Sequence, residues 1–179
     1  QTTEFVAGIN TIDAVVNGTA DIGMMADYAA VNRLGNTLDA TNLQIFSQIS
    51  GGQAALSGGL YVDPKYADDP KSLDGSAGFM YQEGTVTYYY ASKCIEYLGL
   101  DESKQNLINT DSSQTRLALI QKGSASAVYA NGSEANYIED AGWVLVATSQ
   151  EIGIQTGTYF LATDNYITEN KDHFARLNK

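Results

Sequence analysis

Cysteine and histidine are nearly absent: one of each stands in 179 residues. A single thiol excludes a disulfide framework within the chain, and one thiol with one imidazole excludes a metal centre built mainly from those ligands. The redox compartment stays open, because a chain with one cysteine fits any of them. Basic residues are scarce too. Ten Lys and Arg stand against 21 Asp and Glu, for a formal net charge of −11 and a pI near 4.3. No basic cluster interrupts that balance, so nucleic-acid and anionic-membrane surfaces, which need cations to displace counterions, are excluded. No apolar run approaches the ~18 residues that cross a bilayer. Charged residues make up only 17%, below the usual ~25%. Polarity is carried instead by Ser, Thr, Asn, Gln, Gly and 12 Tyr, a composition that suits an extracellular or cell-envelope protein. The opening residues Gln1-Thr2-Thr3-Glu4-Phe5-Val6-Ala7-Gly8 hold no basic n-region, apolar h-region or lipobox cysteine.

What is present is an alternation of short strand and helix patterns. Apolar residues, 44% of the chain, suffice for a sizeable core, and the length fits one domain or two small lobes at ~100–200 residues per domain. β-formers alternate over 3–7 and predict a strand ended by Gly8. From Asn10, Ile12, Val15 and Val16 fall at helical spacing, with Gly18 placed as the left-handed residue after the helix. A buried strand follows over 21–25, with Asp27 and Tyr28 at its carboxyl end and a helix over 29–34. Strands are predicted over 43–49 and 59–62, split by the turn Ser50-Gly51-Gly52-Gln53. Pro64 and Pro70 bracket a polar connector over 63–71. A second series has a strand at 77–81, a helix at 85–98 stopped by Gly99, a strand at 106–110, a helix at 113–122 stopped by Gly123, and a strand at 125–129. After it come a helix at 134–140, strands at 143–147 and 158–162, and a last helix from near Thr168 with Phe174 and Leu177 on one stripe. This order predicts an α/β fold with mostly parallel sheets and right-handed crossovers. Lobe 1 is expected to comprise 1–64 with 157–179, and lobe 2 the stretch 65–156, because the chain must return to complete the first sheet. Residues 11–24 read helix, Gly18, two small residues, strand, and residues 114–129 read the same about Gly123. If the lobes are related, the first lacks an opening strand–helix unit.

Four segments, in order, resemble one family. They are Ala14-Val15-Val16-Asn17-Gly18-Thr19-Ala20-Asp21-Ile22-Gly23, Lys71-Ser72-Leu73-Asp74-Gly75-Ser76-Ala77-Gly78, Gln82-Glu83-Gly84-Thr85-Val86, and Leu117-Ala118-Leu119-Ile120-Gln121-Lys122-Gly123-Ser124-Ala125-Ser126-Ala127. The chain resembles the substrate-binding proteins of ABC importers, in the branch that handles nitrate, sulfonates, taurine and thiamine precursors. Ser126 stands where the family has Asp, and Ser76 where it has a basic residue. The resemblance implies a two-lobed periplasmic-binding-protein-like fold of type II, with three-layer α/β/α lobes and a ligand cleft between them. It implies capture of a small-molecule solute and delivery to an ABC permease. The location would be the periplasm, or the outer face of the membrane through a lipid anchor outside this sequence. It also implies that an opening strand–helix unit and closing helices lie outside these residues. Two other readings share the fold: a ligand-sensing effector domain of a regulator, and an enzyme of thiamine or menaquinone precursor synthesis.

In such a fold the loops at the carboxyl ends of the strands hold the ligand. That rule selects Asp27, Tyr28, Ser50, Gly51, Gln53, Glu83, Gly84, Thr85, Tyr88, Asp111, Asn131 and Glu134. Gly84 and Thr85 open a helix whose N–H groups suit an anion, although Glu83, Thr85 and Thr87 equally read as helix caps. Asp27, Glu83, Asp111 and Glu134, with only Arg116 nearby to balance them, lean toward an amine, a heterocycle or a neutral solute; the same carboxylates also read as solvated loop tips. Tyr88 or Tyr28 suits stacking on a flat ligand, whereas Tyr90 shares an apolar stripe with Val86, Cys94 and Leu98. Catalysis finds no motif. His173 lacks a nucleophile at triad spacing, Cys94 reads as a buried inert thiol, and residues 50–59 lack the Lys-Ser/Thr ending of a phosphate loop. No catalytic residue, cofactor, metal or nucleic-acid partner is expected.

Overall fold

In chain order the elements are α1 (Gly8–Val16), β1 (Ile22–Ala26), α2 (Asp27–Asn36), β2 (Leu43–Gly51), β3 (Gly58–Val62), β4 (Gly78–Tyr81), α3 (Val86–Leu98), β5 (Asn106–Asn109), α4 (Ser113–Gln121), β6 (Ala127–Asn131), α5 (Gly132–Asp140), β7 (Val144–Thr148), α6 (Ser149–Ile152), β8 (Gly157–Thr163), α7 (Asp164–Glu169) and α8 (Lys171–Leu177). Short 3-10 turns sit at Pro64–Tyr66, Pro70–Leu73 and Glu102–Lys104. This is a computed structural model, and it describes residues 2–5, 8–36, 42–51, 58–73 and 78–177. The chain folds as two units: unit 1 is Gln1–Gly52, Gly84–Val86 and Thr156–Lys179, and unit 2 is Gln53–Glu83 and Thr87–Gln155.

Unit 1 is a three-stranded sheet in the order β1-β8-β2, with β8 antiparallel to both neighbours. Helix α1 buries Ile12, Ala14 and Val15, the near-i, i+3 spacing that places side chains on one helical face. Gly18, at φ +70°, lets the chain reverse, so that Thr19 N–H reaches Ala14 O at 2.9 Å and closes the helix end. Ile12, Val15, Met25, Ala29, Ala30 and Leu161 form the core, joining α1 and α2 to one face of the sheet. Across the sheet, Phe46 stacks on Phe160 and meets Phe174 of α8 edge-on.

Unit 2 is a five-stranded sheet in the order β5-β4-β6-β3-β7. β4 runs parallel to β5 and β6, joined to β5 by the crossover helix α3, as parallel neighbours require. One face carries Tyr129, against which Tyr90 of α3 packs with ring centroids 4.1 Å apart. The other carries Met80, Val128 and Ala130, packed with Ile120 of α4, Ala135 and Ile138 of α5, and Trp143. This unit is therefore three-layered. Cys94 lies fully buried within α3, and burial pushes its thiol far above the ordinary range, so it stays an inert packing group.

Several boundaries differ from those the sequence predicts. Residues 3–5 carry no regular structure, and residues 6 and 7 of that predicted strand lie outside the described ones. β3 was expected in lobe 1 and belongs to unit 2, because it pairs antiparallel with both β6 and β7. β2 extends through Gly51, so Ser50 and Gly51 are strand and not turn. The five-stranded sheet is mixed, whereas both pairings of the three-stranded sheet are antiparallel. β3 and β8 run against their neighbours, and each is the first strand after the chain passes from one unit to the other. The predicted last helix is two helices, α7 and α8, broken at Asn170.

Candidate functional site

In unit 1 the end of β1 delivers Asp27, the first residue of α2. Its Oδ1 accepts the Tyr28 N–H at 2.7 Å and its Oδ2 accepts the Gly157 N–H at 2.9 Å. β2 ends with Ser50 opposite Thr158 and Gly51 opposite Gly157. Asp27, Tyr28, Ser50 and Gly51 thus meet at one end of the three-stranded sheet, gathered on the first residues of β8. Gln53 lies outside the described residues.

In unit 2 the corresponding strand ends carry Glu83, Asp111, Asn131 and Glu134. Parallel pairing sets β4 and β5 side by side, so Asn109 reaches the turn after β4. Its Oδ1 accepts the Glu83 N–H at 2.9 Å and its Nδ2 donates to Glu83 Oε2 at 3.2 Å. Gln82 Nε2 donates to the Asp111 carbonyl at 3.3 Å, and the Thr110 N–H and hydroxyl both donate to Tyr81 O at 2.7 Å. Thr87 closes the next turn, its Oγ1 accepting the Gln82 N–H at 2.7 Å. Gly84 and Thr85 lie between these two partners and lead into α3.

Asp111 accepts hydroxyl hydrogen bonds from Thr115 and Ser112, and these hold its carboxyl below the usual carboxylate range. Ser112 caps α4, accepting the Thr115 N–H at 3.2 Å. Arg116, one turn further on, is only 6% exposed. Its Nε donates to Glu134 Oε1 at 2.6 Å, Nη1 to Thr110 Oγ1 at 3.2 Å and Nη2 to Ser113 Oγ at 3.1 Å. Glu134 sits in the first turn of α5, where the helix dipole also favours its charge. Asn131 is the N-cap of α5, without a side-chain capping bond.

The lean toward an amine ligand rested on four carboxylates facing one arginine. The structure gives each of the four a protein partner: Gly157 for Asp27, Asn109 for Glu83, Ser112 and Thr115 for Asp111, and Arg116 for Glu134. These acids stiffen the strand ends. Tyr88 is engaged as well, its hydroxyl donating to Glu102 Oε1 at 2.9 Å and its ring meeting Tyr81 edge-on at 5.4 Å. Asn109, Thr110 and Gly157 are not singled out in the sequence, whereas Thr87 is, as a helix cap. The strand-end rule that picked Asp111 would have found Asn109 and Thr110, whereas nothing local points from Gly157 to Asp27.

Chemically, the ends of β4, β5 and β6 bring α3, α4 and α5 in, each starting within a few residues of a strand end. Backbone N–H groups at such starts suit the polar group of a small solute. Among the described residues no group of three His, Cys, Asp or Glu is placed to hold a metal ion, and no helix is long and apolar enough to cross a membrane.

No protein-family model matches the sequence, and no curated protein matches it. Solved structures do. The periplasmic aliphatic sulphonate binding protein SsuA from Escherichia coli is 16% identical with a TM-score of 0.79, over 98% of this chain and 58% of that one. The alkanesulfonate-binding protein SsuA from Xanthomonas axonopodis pv. citri, bound to MOPS, is 18% identical with a TM-score of 0.76, over the same 98% and 58%. A ligand-binding component of an ABC-type import system from Staphylococcus aureus, with zinc bound, is 8% identical with a TM-score of 0.72, over 97% and 58%. The chain thus spans 58% of the length of each of these three proteins. Its fold is that of the periplasmic substrate-binding proteins of ABC import systems.

Proposed function

We propose that this chain is the solute-binding part of an ABC import system in the periplasm, where it captures a small organic anion of the sulfonate class and passes it, unchanged, to a membrane permease. The observation that carries this reading is the fold it shares, over nearly its whole length, with two sulfonate-binding proteins. The strand ends support it. Glu134 is charge-paired with Arg116, and Glu83 and Asp111 are held by neutral protein donors, so an incoming anion has the helix starts as its partners. The proposed contacts in unit 2 are Glu83, Tyr88, Asp111, Asn131 and Glu134, joined by Gly84 and Thr85 at the start of α3. In unit 1 they are Asp27, Tyr28, Ser50 and Gly51, followed by Gln53 just past them in the chain.

The test is a thermal-shift and calorimetric screen of ethanesulfonate, taurine, MOPS, nitrate and an aminopyrimidine. A ligand that binds only the folded state stabilises it by about 2.7 kcal/mol at a hundredfold excess over its Kd. The expected result is a shift with the sulfonates, and mass spectrometry recovering the bound sulfonate intact. A shift with the aminopyrimidine alone would return the ligand to the amine class. Conversion of any of these compounds would replace a binder with an enzyme.

A further inference from the structure

The strand ends of unit 2 hold one connected set of charges. Glu83, in the turn after β4, is tied to Asn109, and Thr110 and Asp111 follow Asn109 at the end of β5. Thr110 Oγ1 accepts from Arg116, and Arg116 donates in turn to Glu134 in the first turn of α5. Three carboxylates, those of Glu83, Asp111 and Glu134, thus stand with one guanidinium, an excess of two negative charges.

The place of the cation is not one that stability alone selects. Arg116 is the only charged residue that is buried among the described residues. Its Nη2 donates to Ser113, the first residue of α4, so positive charge lies at the positive end of a helix dipole, where it is disfavoured unless an anion stands beside it. A buried ion pair stabilises a fold no more than apolar side chains of similar volume would. Unit 1 shows that tying two helices does not require one: Arg33, in the last turn of α2, meets Asp13 of α1 near the surface. Glu134, Thr110 and Ser113 take three of the five Arg116 N–H groups, and one N–H on each Nη is left without a protein acceptor among the described residues.

Granted the sulfonate-class ligand proposed above, we infer that Glu134 determines its charge: by pairing with Arg116 it keeps these strand ends net negative, so that the site admits a monoanion and rejects a dianion. Fixed charges act on a ligand in proportion to the ligand's own charge. A monoanion meets the excess negative charge once and is held by the neutral N–H groups of the helix starts, whereas a dianion meets it twice. Glu134→Gln removes one negative charge and leaves that of Arg116 uncompensated. Both anions then gain, the dianion by the square of the monoanion's factor.

The test is calorimetry with ethanesulfonate, a monoanion, and sulfate, a dianion that is no larger. Wild type should bind sulfate at least about a hundredfold more weakly than ethanesulfonate. In Glu134→Gln ethanesulfonate should bind about tenfold more tightly and sulfate about a hundredfold, the effect of one unit charge a few ångströms off at intermediate dielectric. Combining Glu134→Gln with Arg116→Met restores the original net charge without the bonds of the pair, and should restore the wild-type ratio of the two affinities, which a merely structural role would not do. Glu83→Gln alters an exposed side chain and should narrow the ratio in the same sense, so it carries the test if Glu134→Gln does not fold. An unchanged ratio in the folded single variants, or a double variant that keeps the narrowed ratio, would overturn the inference. So would a wild type that binds sulfate as tightly as ethanesulfonate, with the sulfonate reading left intact. A wild type that binds neither anion would remove the sulfonate reading itself, and the role of Glu134 with it.

Discussion

Unit 1 and unit 2 are laid out alike around their antiparallel middle strands, but their burial differs. β6 is buried at four successive positions, Ala127 to Ala130, while β1 is buried only at Gly23 and Met25. A strand between two helical layers reads as a continuous apolar run, and a strand covered on one face alternates. The same contrast holds for the ion pairs that tie neighbouring helices. Arg116 and Glu134 join α4 to α5 with side chains 7% and 20% exposed, and Arg33 and Asp13 join α1 to α2 with side chains 19% and 44% exposed. Burial, more than topology, separates the two units, and energetic consequences should follow burial.

The largest expected difference is between Tyr129 and Met24, each third in its strand but 5% and 55% exposed. Tyr129 packs against Tyr90 with the rings tilted by 37°, and its hydroxyl meets Ser149 Oγ at 2.9 Å, which in turn donates to Gly58 O at 2.8 Å. Truncating a buried aromatic of this kind costs about 3–5 kcal/mol, so Tyr129→Ala should lower the urea midpoint strongly. Met24→Ala in the 179-residue chain should stay within about 0.5 kcal/mol. Equal losses would erase the distinction between the units. Arg116→Met comes close behind, at about 3–5 kcal/mol, because it leaves Glu134 without its charge partner. Adding Glu134→Gln should recover much of that loss, and a double variant no better than the single one would show that packing around Arg116, not charge, is what matters.

The sequence made some of this contrast legible and hid the rest. Helices with a full apolar stripe were readable almost to the residue: a helix expected over 85–98 is Val86–Leu98, and Gly18 and Gly123 end α1 and α4 as their placement implied. Residues 3–5 have strand-like letters but no strand beside them, and a strand exists only by pairing. β3 could not be assigned to a unit from its own residues, since Gly-Gly-Leu-Tyr-Val suits either sheet. The candidate site residues were readable as strand ends, but their partners were not. Asn109 meets Glu83, and Asp27 meets Gly157, only through strand register. Arg116 looked like a lone counter-charge and is buried with three partners, Glu134, Thr110 and Ser113, because α4 lies over the sheet.

pH separates the units with a built-in reporter, since the one tryptophan, Trp143, sits in the core of unit 2. Tyr61 of β3 is pushed up to about 12 by burial first and then by its 2.8 Å hydrogen bond to Glu139. A raised tyrosine keeps its proton better folded than unfolded, so its contribution is fully present below about 10, the unfolded value, and is lost as pH rises toward 12. Trp143 fluorescence should therefore show a falling melting temperature from pH 10 to 12, and Tyr61→Phe should flatten that slope. At the acid end, hydroxyl and backbone donors hold Asp101, Asp111 and Glu151, all in unit 2, below the usual carboxylate range. Their contribution is present above about pH 4 and lost as pH falls through their folded values. An alkaline slope unchanged in Tyr61→Phe would mean that other tyrosines carry it.

The smallest expected effect is at the exposed ion pair of unit 1. Arg33 Nε meets Asp13 Oδ1 at 2.7 Å, a good distance, yet Asp13 keeps nearly half its side-chain surface in water. Exposed pairs gain little over the hydration they give up, and salt screens what is gained, so such pairs contribute about 0–1 kcal/mol. Arg33→Met should lower stability by no more than that in low salt and by almost nothing in 0.5 M NaCl, while Arg116→Met keeps most of its cost at either salt concentration. The two variants thus separate geometry from burial, because their N–O distances are 2.7 and 2.6 Å. If Arg33→Met proved as damaging as Arg116→Met and as insensitive to salt, its pair would have to be buried in solution. Burial of that kind would remove the contrast with Arg116 that the two exposures imply.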